Sequence, residues 1–271
     1  MNGGPVAITE PDDPRLDDYR ELKDATRRRG GTFIAESERV ITRLFDSTFA
    51  ARSVLLTPSR YARLQNVIPA GVSAFVAEES IINQVVGFPL HRGAVALGVR
   101  PASMTPPNQL LATARIAVIV EDVVDPDNVG AVFRHSAAFG VDAVVLSPGA
   151  GDPLYRKAVR AAVGWSLHVP WTRAAPHQWP ATLTDMRTDG WHVLALTPSE
   201  AAAVLPSTLA ERGRDERIAL LVGTEHDGLT AAAMAAANVR ARIPMAPGVD
   251  SLNVATTVAI ALYEIAKRNW S

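Results

Sequence analysis

The chain has 271 residues and a formal net charge of −1, and 48% of its residues are hydrophobic and 20% charged. This length suits one large domain or two modest ones. The balanced charge excludes binding of nucleic acid through an overall basic surface, and the absence of cysteine excludes disulfides and thiolate metal sites. The N-terminus lacks the apolar core of a signal peptide, and no apolar run is long enough to span a bilayer. We therefore expect a cytoplasmic protein without a membrane segment.

The first 105 residues predict a small domain. Residues 1–14 carry Gly, Pro and Asp and are expected to be a frayed lead-in, and a first helix is predicted over 16–28. Apolar and helical stretches then alternate at 32–35, 39–47, 53–57, 59–65, 74–77, 79–87 and 94–99. This alternation predicts a small α/β or α+β domain over residues 1–105. Residues 106–113 lie in the stretch RPASMTPPNQLLAT, which has three prolines within seven residues and no apolar periodicity, and they are interpreted as a linker.

From residue 114 the pattern becomes a regular alternation of strands and helices. Strands are predicted at 116–120, 141–146, 167–170, 192–196, 219–222 and 239–243. Helices are predicted over 129–139, 155–163, 230–238 and about 252–267. Because the strands are almost continuously apolar, both faces of their sheet should be covered, which is typical of parallel sheets. Residues 114–271 therefore predict an α/β domain with a mostly parallel sheet flanked by helices.

Three polar segments follow predicted strands, at the sheet edge where open parallel sheets bind ligands. The first, DPDNVGAVFRHSAAFG, contains Asn128 and Arg134. Asp or Asn in this turn can cap the following helix, and Arg134 lies six residues after Asn128, so the two need not share a helix face. Taken alone, this segment is explained more simply by a helix cap and a solvent-exposed arginine.

The second segment, LLVGTEHDGLT, places Glu225 between Gly223 and Gly228 directly after a predicted strand. A turn bracketed by glycines can admit a ligand of nucleoside size. The segment lacks the Lys-Ser/Thr pair of a phosphate loop. It is equally explained by a tight turn with Glu225 near a helix N-terminus, where its negative charge is favourable.

The third segment, IPMAPGVDSLNVATTVAIALYEIAK, begins at Ile243 and opens a strongly apolar helix after SLN. Ser251 or Asn253 can cap this helix, but the combination of IPM and SLN is more than capping requires. No Gly-x-Gly-x-x-Gly follows the first strand of either half, which argues against a dinucleotide site and against the common glycine-rich methyltransferase loop. The six histidines show no metal-binding spacing, so no metal is expected.

Taken in this order, the three segments resemble the SpoU/TrmH family of RNA ribose 2′-O-methyltransferases, in the SPOUT superfamily. The motifs are N-x-G-x₃-R, G-x-E-x-x-G-L and IPM…SLNV…A-x-x-L-Y-E, and the resemblance covers residues 114–271. The stretch FIAESERVITRLFDS (33–47) looks like the start of the ribosomal-protein-like substrate-binding domain of many members. The resemblance implies a deep trefoil knot, S-adenosylmethionine as methyl donor, and a homodimer through the first and last helices of the catalytic domain.

The resemblance also implies a role for each motif residue. Arg134 would lie nearest the ribose 2′-hydroxyl, Asn128, Ser251 and Asn253 would position the ribose and Arg134, and Glu225 would order the donor loop. Because arginine stays protonated at any working pH, we expect Arg134 to hold the adjacent phosphate and polarise the hydroxyl rather than act as a base. The implied donor pocket comprises Thr224, Glu225, Gly228, Ile243, Met245 and Leu252.

A separate N-terminal domain favours ribosomal RNA over transfer RNA as the substrate. Phosphate contacts are expected from Arg27, Arg28, Arg29, Arg60, Arg63, Arg156, Lys157 and Arg160, although each cluster is equally explained as a solvated helix face. The alternatives are a transfer-RNA methyltransferase, a non-catalytic RNA-binding relative and an unrelated small-molecule enzyme. Three departures from the family pattern favour a narrow or altered substrate: Ala255 follows SLNV in place of serine, RAAVG occupies 160–164, and Ser37 replaces a usual glycine.

Overall fold

The computed structural model describes residues 4–20, 30–87, 93–210, 213 and 216–268. The chain forms two compact units. The first comprises Met1–Ser103 and Leu154–His168, and the second comprises Met104–Pro153 and Val169–Ser271. Among the residues in the ranges just given, no helix has the length and apolar character needed to cross a membrane.

The first unit is built on a mixed sheet. Its strands are β1 (Val6–Ala7), β2 (Thr32–Glu36), β3 (Ala51–Leu56), β4 (Ser73–Val76) and β5 (Ala94–Val99), and its helices are α1 (Asp17–Arg20), α2 (Glu38–Phe45), α3 (Pro58–Leu64) and α4 (Glu79–Val86). The strand order is β1-β4-β3-β5-β2, with β5 antiparallel to both its neighbours. The helices each bury an apolar face. In α2 this face consists of Val40, Ile41 and Leu44. The predicted small α/β or α+β domain is therefore confirmed as a fold.

The lead-in to this unit is more ordered than the sequence predicts. Strand β1 pairs in parallel with β4, and Ile8 and Leu16 are buried in the core. A 3₁₀ turn at Pro14–Leu16 then leads into α1. The predicted frayed lead-in over 1–14 is therefore corrected from residue 6 onwards, because burial of these apolar side chains holds the segment on the sheet. The remainder of the predicted first helix lies outside the described residues.

The second unit contains the predicted parallel sheet. Its strands are β6 (Ile116–Val120), β7 (Ala143–Leu146), β8 (Trp171–Arg173), β9 (Trp191–Leu196), β10 (Ala203–Val204), β11 (Arg217–Val222) and β12 (Val239–Arg242). The helices in this part of the chain are α5 (Pro107–Leu111), α6 (Pro126–Ala138), α7 (Arg156–Ala161), α8 (Ala181–Thr188), α9 (Leu205–Ala210), α10 (Ala231–Ala236) and α11 (Val254–Lys267). The strand order is β10-β12-β9-β11-β6-β7-β8, and every described pairing is parallel. The trefoil knot implied by the resemblance stays a prediction.

Three local predictions differ from the structure. The strand predicted at 167–170 lies at Trp171–Arg173, because the chain forms a 3₁₀ turn at Trp165–Leu167 and becomes extended only after it. The residues interpreted as a linker include α5, whose Leu111 is buried in the second unit's core. The segment Leu154–His168, which contains α7, groups with the first unit rather than with the residues on either side of it.

The core strands bring two of the polar segments to one sheet edge. Strands β6 and β11 are adjacent and in register, with Val120 opposite Val222. Because both strands are parallel, the loops that follow them leave the sheet at the same edge. Helix α11 packs against α6, so the segment before α11 also reaches this edge.

Candidate active site

The loop after β11, residues 223–229, is held in a tight hairpin-like turn. The Thr224 amide donates to the Gly228 carbonyl at 3.2 Å, and the Asp227 amide donates to Thr224 Oγ1 at 3.0 Å. Gly228 has a φ of +68°, a conformation that favours glycine. A Cβ on Gly223 would lie 2.3 Å from the Gly228 carbonyl oxygen, so only glycine fits there. The two predicted bracketing glycines are thus explained by backbone geometry.

This loop forms one wall of a pocket of about 530 Å³. Thr224, Glu225, Gly228, Ile243, Met245 and Leu252, which the sequence nominated as donor-binding residues, all line it. Ser251 lines it as well. Leu229 of the G-x-E-x-x-G-L motif also lines it, together with residues that the sequence did not single out: Leu196, Thr197, Pro198, Val222, Met234, Asp250 and Thr257.

A chain of hydrogen bonds joins the three sequence segments beside this pocket. Asn253 Nδ2 donates to Asn128 Oδ1 at 2.8 Å, and Asn128 Nδ2 donates in turn to Glu225 Oε1. These residues are separated by 125 and 97 positions in sequence, so only the fold brings them together. We call this group, Asn253, Asn128 and Glu225, the amide–carboxylate chain.

The helix caps resolve the simpler explanations of the first and third segments. Asp125, not Asn128, caps α6, and its side chain accepts from the Asp127 amide at 2.7 Å. Asn128 therefore lies in the first turn of α6, and its side chain is free to bond outside the helix. Asn253 does cap α11, since its Oδ1 accepts from the amides of Ala255 and Thr256. Its Nδ2 remains available for Asn128, so the cap and the site use different atoms of one side chain.

Arg134 does not join the amide–carboxylate chain. It lies on α6 six residues after Asn128, about 120° away around the helix axis. Its side chain is exposed and makes no hydrogen bond or ion pair with the part of the chain that is described. The neighbouring His135 is half-buried, and burial, together with the positive charge of Arg134, lowers the pKa of that histidine from its usual value of 6.5.

Two glutamates link the basic residues of the first unit that were nominated for RNA binding. Glu38 pairs with Arg60 and, at 3.5 Å, with Arg63 of α3, while Glu36 pairs with Arg156 of α7 at 3.3 Å. Lys157 and Arg160 are exposed on α7. The arginines of α3 and α7 therefore converge on the end of β2 and the start of α2. Arg27, Arg28 and Arg29 lie outside the described residues.

The second unit is thus a parallel α/β domain with a nucleoside-sized pocket and a polar chain at the carboxyl edge of its sheet. Residues 115–263, more than half of the chain, match the model of the SpoU rRNA Methylase family. An uncharacterized tRNA/rRNA methyltransferase of Mycobacterium tuberculosis is 43% identical over 264 residues, covering 95% of this chain and 90% of that protein. The chain belongs to the SpoU rRNA methylase family.

One further relative and one solved structure match almost the whole chain. The 23S rRNA (guanosine-2′-O)-methyltransferase RlmP of Bacillus subtilis is 26% identical, covering 93% of this chain and 95% of that protein. The crystal structure of an AdoMet-bound rRNA methyltransferase from Sinorhizobium meliloti has a TM-score of 0.83 at 22% identity, covering 99% of this chain and all of that one, and shows the same fold. The predicted family, its RNA methyltransferase activity and its donor, S-adenosylmethionine, are confirmed.

Proposed function

We propose that this methyltransferase modifies a ribose 2′-hydroxyl of ribosomal RNA at the edge of the pocket where the amide–carboxylate chain lies. The observation that carries this proposal is the hydrogen-bonded contact of Asn253, Asn128 and Glu225, one from each motif, beside a pocket of suitable size. The match to a 23S rRNA 2′-O-methyltransferase along almost the whole chain supports the choice of RNA and of atom. A ribosomal substrate would place the enzyme in the cytoplasm.

The pocket residues fit S-adenosylmethionine. The volume of the pocket lies within the range of about 300–1,000 Å³ that is usual for small-molecule sites. Apolar side chains such as Leu229 and Met234 alternate with a few polar groups, and the bare backbone at Gly223 allows close approach. Thr224, Gly228, Ile243, Met245 and Leu252 would hold the donor, which supplies an activated methyl group when bound. Glu225 would order the loop through its bond to Asn128.

Arg134 would bind the phosphate next to the target ribose. Its side chain is exposed, and a guanidinium, which carries only hydrogen-bond donors and a positive charge, suits an anion better than it suits proton abstraction. From that position it would polarise the 2′-hydroxyl, whose proton would pass to the phosphate or to water. Asn128, Ser251 and Asn253 would orient the ribose, and the enzyme's main contribution would be alignment of the hydroxyl with the methyl group.

We place a homodimer contact on α6 and α11, as the family resemblance implies. Val124, two residues before α6, is 65% exposed, and Ile260 and Tyr263 on α11 are exposed as well. Tyr263 packs edge-on against Phe139 at the end of α6, so these two rings form one apolar surface. A dimer through this face would also allow Arg134 to serve the partner's pocket. Light scattering should give a dimer for the wild type and a monomer for Tyr263→Glu; a monomeric wild type would contradict the contact.

The first unit would hold RNA through the basic residues around Glu36 and Glu38, together with Arg27, Arg28 and Arg29. The glutamates pair with Arg60 and Arg156, and Lys157 and Arg160 are exposed on α7. Affinity for RNA should fall with salt, because phosphate contacts release counterions. Lys157→Ala with Arg160→Ala should weaken binding and flatten this salt dependence. An unchanged slope would remove α7 from the binding surface.

A methyl-transfer assay tests the proposed function. Purified protein is incubated with tritium-labelled S-adenosylmethionine and, separately, with ribosomal and transfer RNA, and the product is digested to nucleosides. We expect label in ribosomal RNA as a 2′-O-methylated nucleoside. Label in transfer RNA alone would support the alternative substrate, and label on a base would refute the choice of atom. No label on either RNA, with S-adenosylmethionine still bound, would support a non-catalytic RNA-binding relative.

A further inference from the structure

A buried carboxylate, Glu121, lies where the two ends of the loop at residues 223–229 come together. We call this loop the donor loop. Glu121 directly follows β6 and is 1% exposed. Its own amide donates to the Val222 carbonyl at 2.8 Å, at the end of β11 where the loop begins. Its carboxylate reaches Thr230, where the loop ends: Oε2 accepts from the Thr230 amide at 2.8 Å and Oε1 from Thr230 Oγ1 at 2.9 Å. One residue therefore bonds both ends of the loop.

The carboxylate also bonds a residue outside the loop. Glu121 Oε1 also accepts from Trp179 Nε1 at 3.0 Å. Within the described ranges, no lysine, arginine or histidine pairs with Glu121, so three neutral donors stabilise the buried negative charge. A buried charge is costly to desolvate, and a well-packed apolar side chain in its place often gives equal or greater stability. Glu121 therefore calls for an explanation other than overall stability.

We propose that Glu121 is a positioning residue for S-adenosylmethionine, acting through Thr230. Thr230 caps α10 by accepting from the Ala233 amide at 3.1 Å, so its hydroxyl is fixed from both sides. Leu229, the residue before it, and Met234, on α10, both line the donor pocket. Glu121 bonds the two ends of the donor loop, while Asn128 bonds Glu225 near the centre of the loop. Two side chains from the β6–α6 segment thus set the loop in its binding conformation.

This proposal deepens the proposed function and rests on donor binding in this pocket. It predicts that loss of the Glu121–Thr230 contact weakens donor binding without slowing the step that follows. In Glu121→Gln one amide hydrogen would face the Thr230 or Trp179 donor, and in Thr230→Val the hydroxyl donor would be absent. We expect each variant to raise the Kd for S-adenosylhomocysteine and the KM for S-adenosylmethionine about tenfold, with kcat within about twofold.

Two further variants separate positioning from stability. Trp179→Phe removes the third hydrogen bond but leaves Thr230 attached, so it should lower Tm without changing the KM for the donor. Thr230→Ser keeps both the hydroxyl and the amide and should retain the wild-type KM. The double variant Glu121→Gln with Thr230→Val should weaken binding by less than the sum of the two single effects, because both variants weaken the same contact.

The decisive measurement is calorimetric titration of S-adenosylhomocysteine into the four single variants, alongside their thermal unfolding. The expected result is weaker binding in Glu121→Gln and Thr230→Val only. Equal weakening in Trp179→Phe at an equal loss of Tm would overturn the proposal in favour of a structural role, and so would unchanged binding in Thr230→Val. If Glu121→Gln fails to fold, the three remaining variants decide the outcome. Because this titration needs no RNA, its result is independent of whether ribosomal RNA is the substrate.

Discussion

Ser37 has a backbone conformation that almost only glycine adopts. Its φ of 88° and ψ of 150° lie in a region that costs a side chain about 1–3 kcal/mol. Its hydroxyl makes no capping bond to α2, so glycine would lose no capping contact. Glycine has more conformational freedom in the unfolded chain, which lowers the free energy of unfolding by about 0.5–1 kcal/mol. The difference predicts that Ser37→Gly stabilises the first unit by about 1–2 kcal/mol, or a few degrees in Tm.

Scanning calorimetry tests this prediction with a matched control. Ser37→Ala removes the hydroxyl but keeps the Cβ, so the backbone strain remains and no comparable gain in Tm is expected. The strain argument is refuted if Ser37→Gly melts no higher than the wild type. It is also refuted if Ser37→Ala gains as much as Ser37→Gly, since the hydroxyl rather than the backbone would then be responsible.

Three other predictions concern the second unit. Asn128→Asp should lower kcat/KM about tenfold or more, because a carboxylate would replace the amide that donates to Glu225; unchanged kinetics would remove Asn128 from the site. Gly223→Ala should abolish S-adenosylhomocysteine binding in calorimetry, because its Cβ would collide with backbone atoms. His135 should titrate below 6.5 by NMR, and Arg134→Ala should raise its pKa only part of the way, since burial is the larger cause. Because the folded pKa is lowered, this histidine's contribution to stability is complete above pH 6.5 and is lost as the pH falls.

Most strands of the second unit could be predicted closely because their apolar runs are continuous. The run at Ile116–Val120 coincides with β6, and the helix predicted over about 252–267 is α11 but for its first two residues. The errors fall where tertiary packing outweighs local pattern. Leu111 follows several prolines and suggested a linker, yet it is buried in the core. The proline signal describes the local backbone and carries no information about what the next apolar side chain contacts.

The candidate site was predictable as three segments but not as one geometry. The positions of Asn128 and Glu225 after parallel strands predict that both lie at one sheet edge. Periodicity could not show that Asp125 takes the capping role and leaves Asn128 free to bond Glu225. Glu121 was missed altogether. A charged residue directly after an apolar strand is a weak signal, and its partner Thr230 lies 109 positions away.

Mapping of ribose methylation in cells tests the central claim most directly. Ribosomal RNA is compared between cells with and without the gene, and the gene is then restored as the wild type or as Arg134→Ala. We predict that one ribosomal 2′-O-methyl group disappears with the gene, returns with the wild type and stays absent with Arg134→Ala. An unchanged set of ribosomal 2′-O-methyl groups in the deletion strain would contradict the proposed function, and full restoration by Arg134→Ala would contradict the role of this arginine.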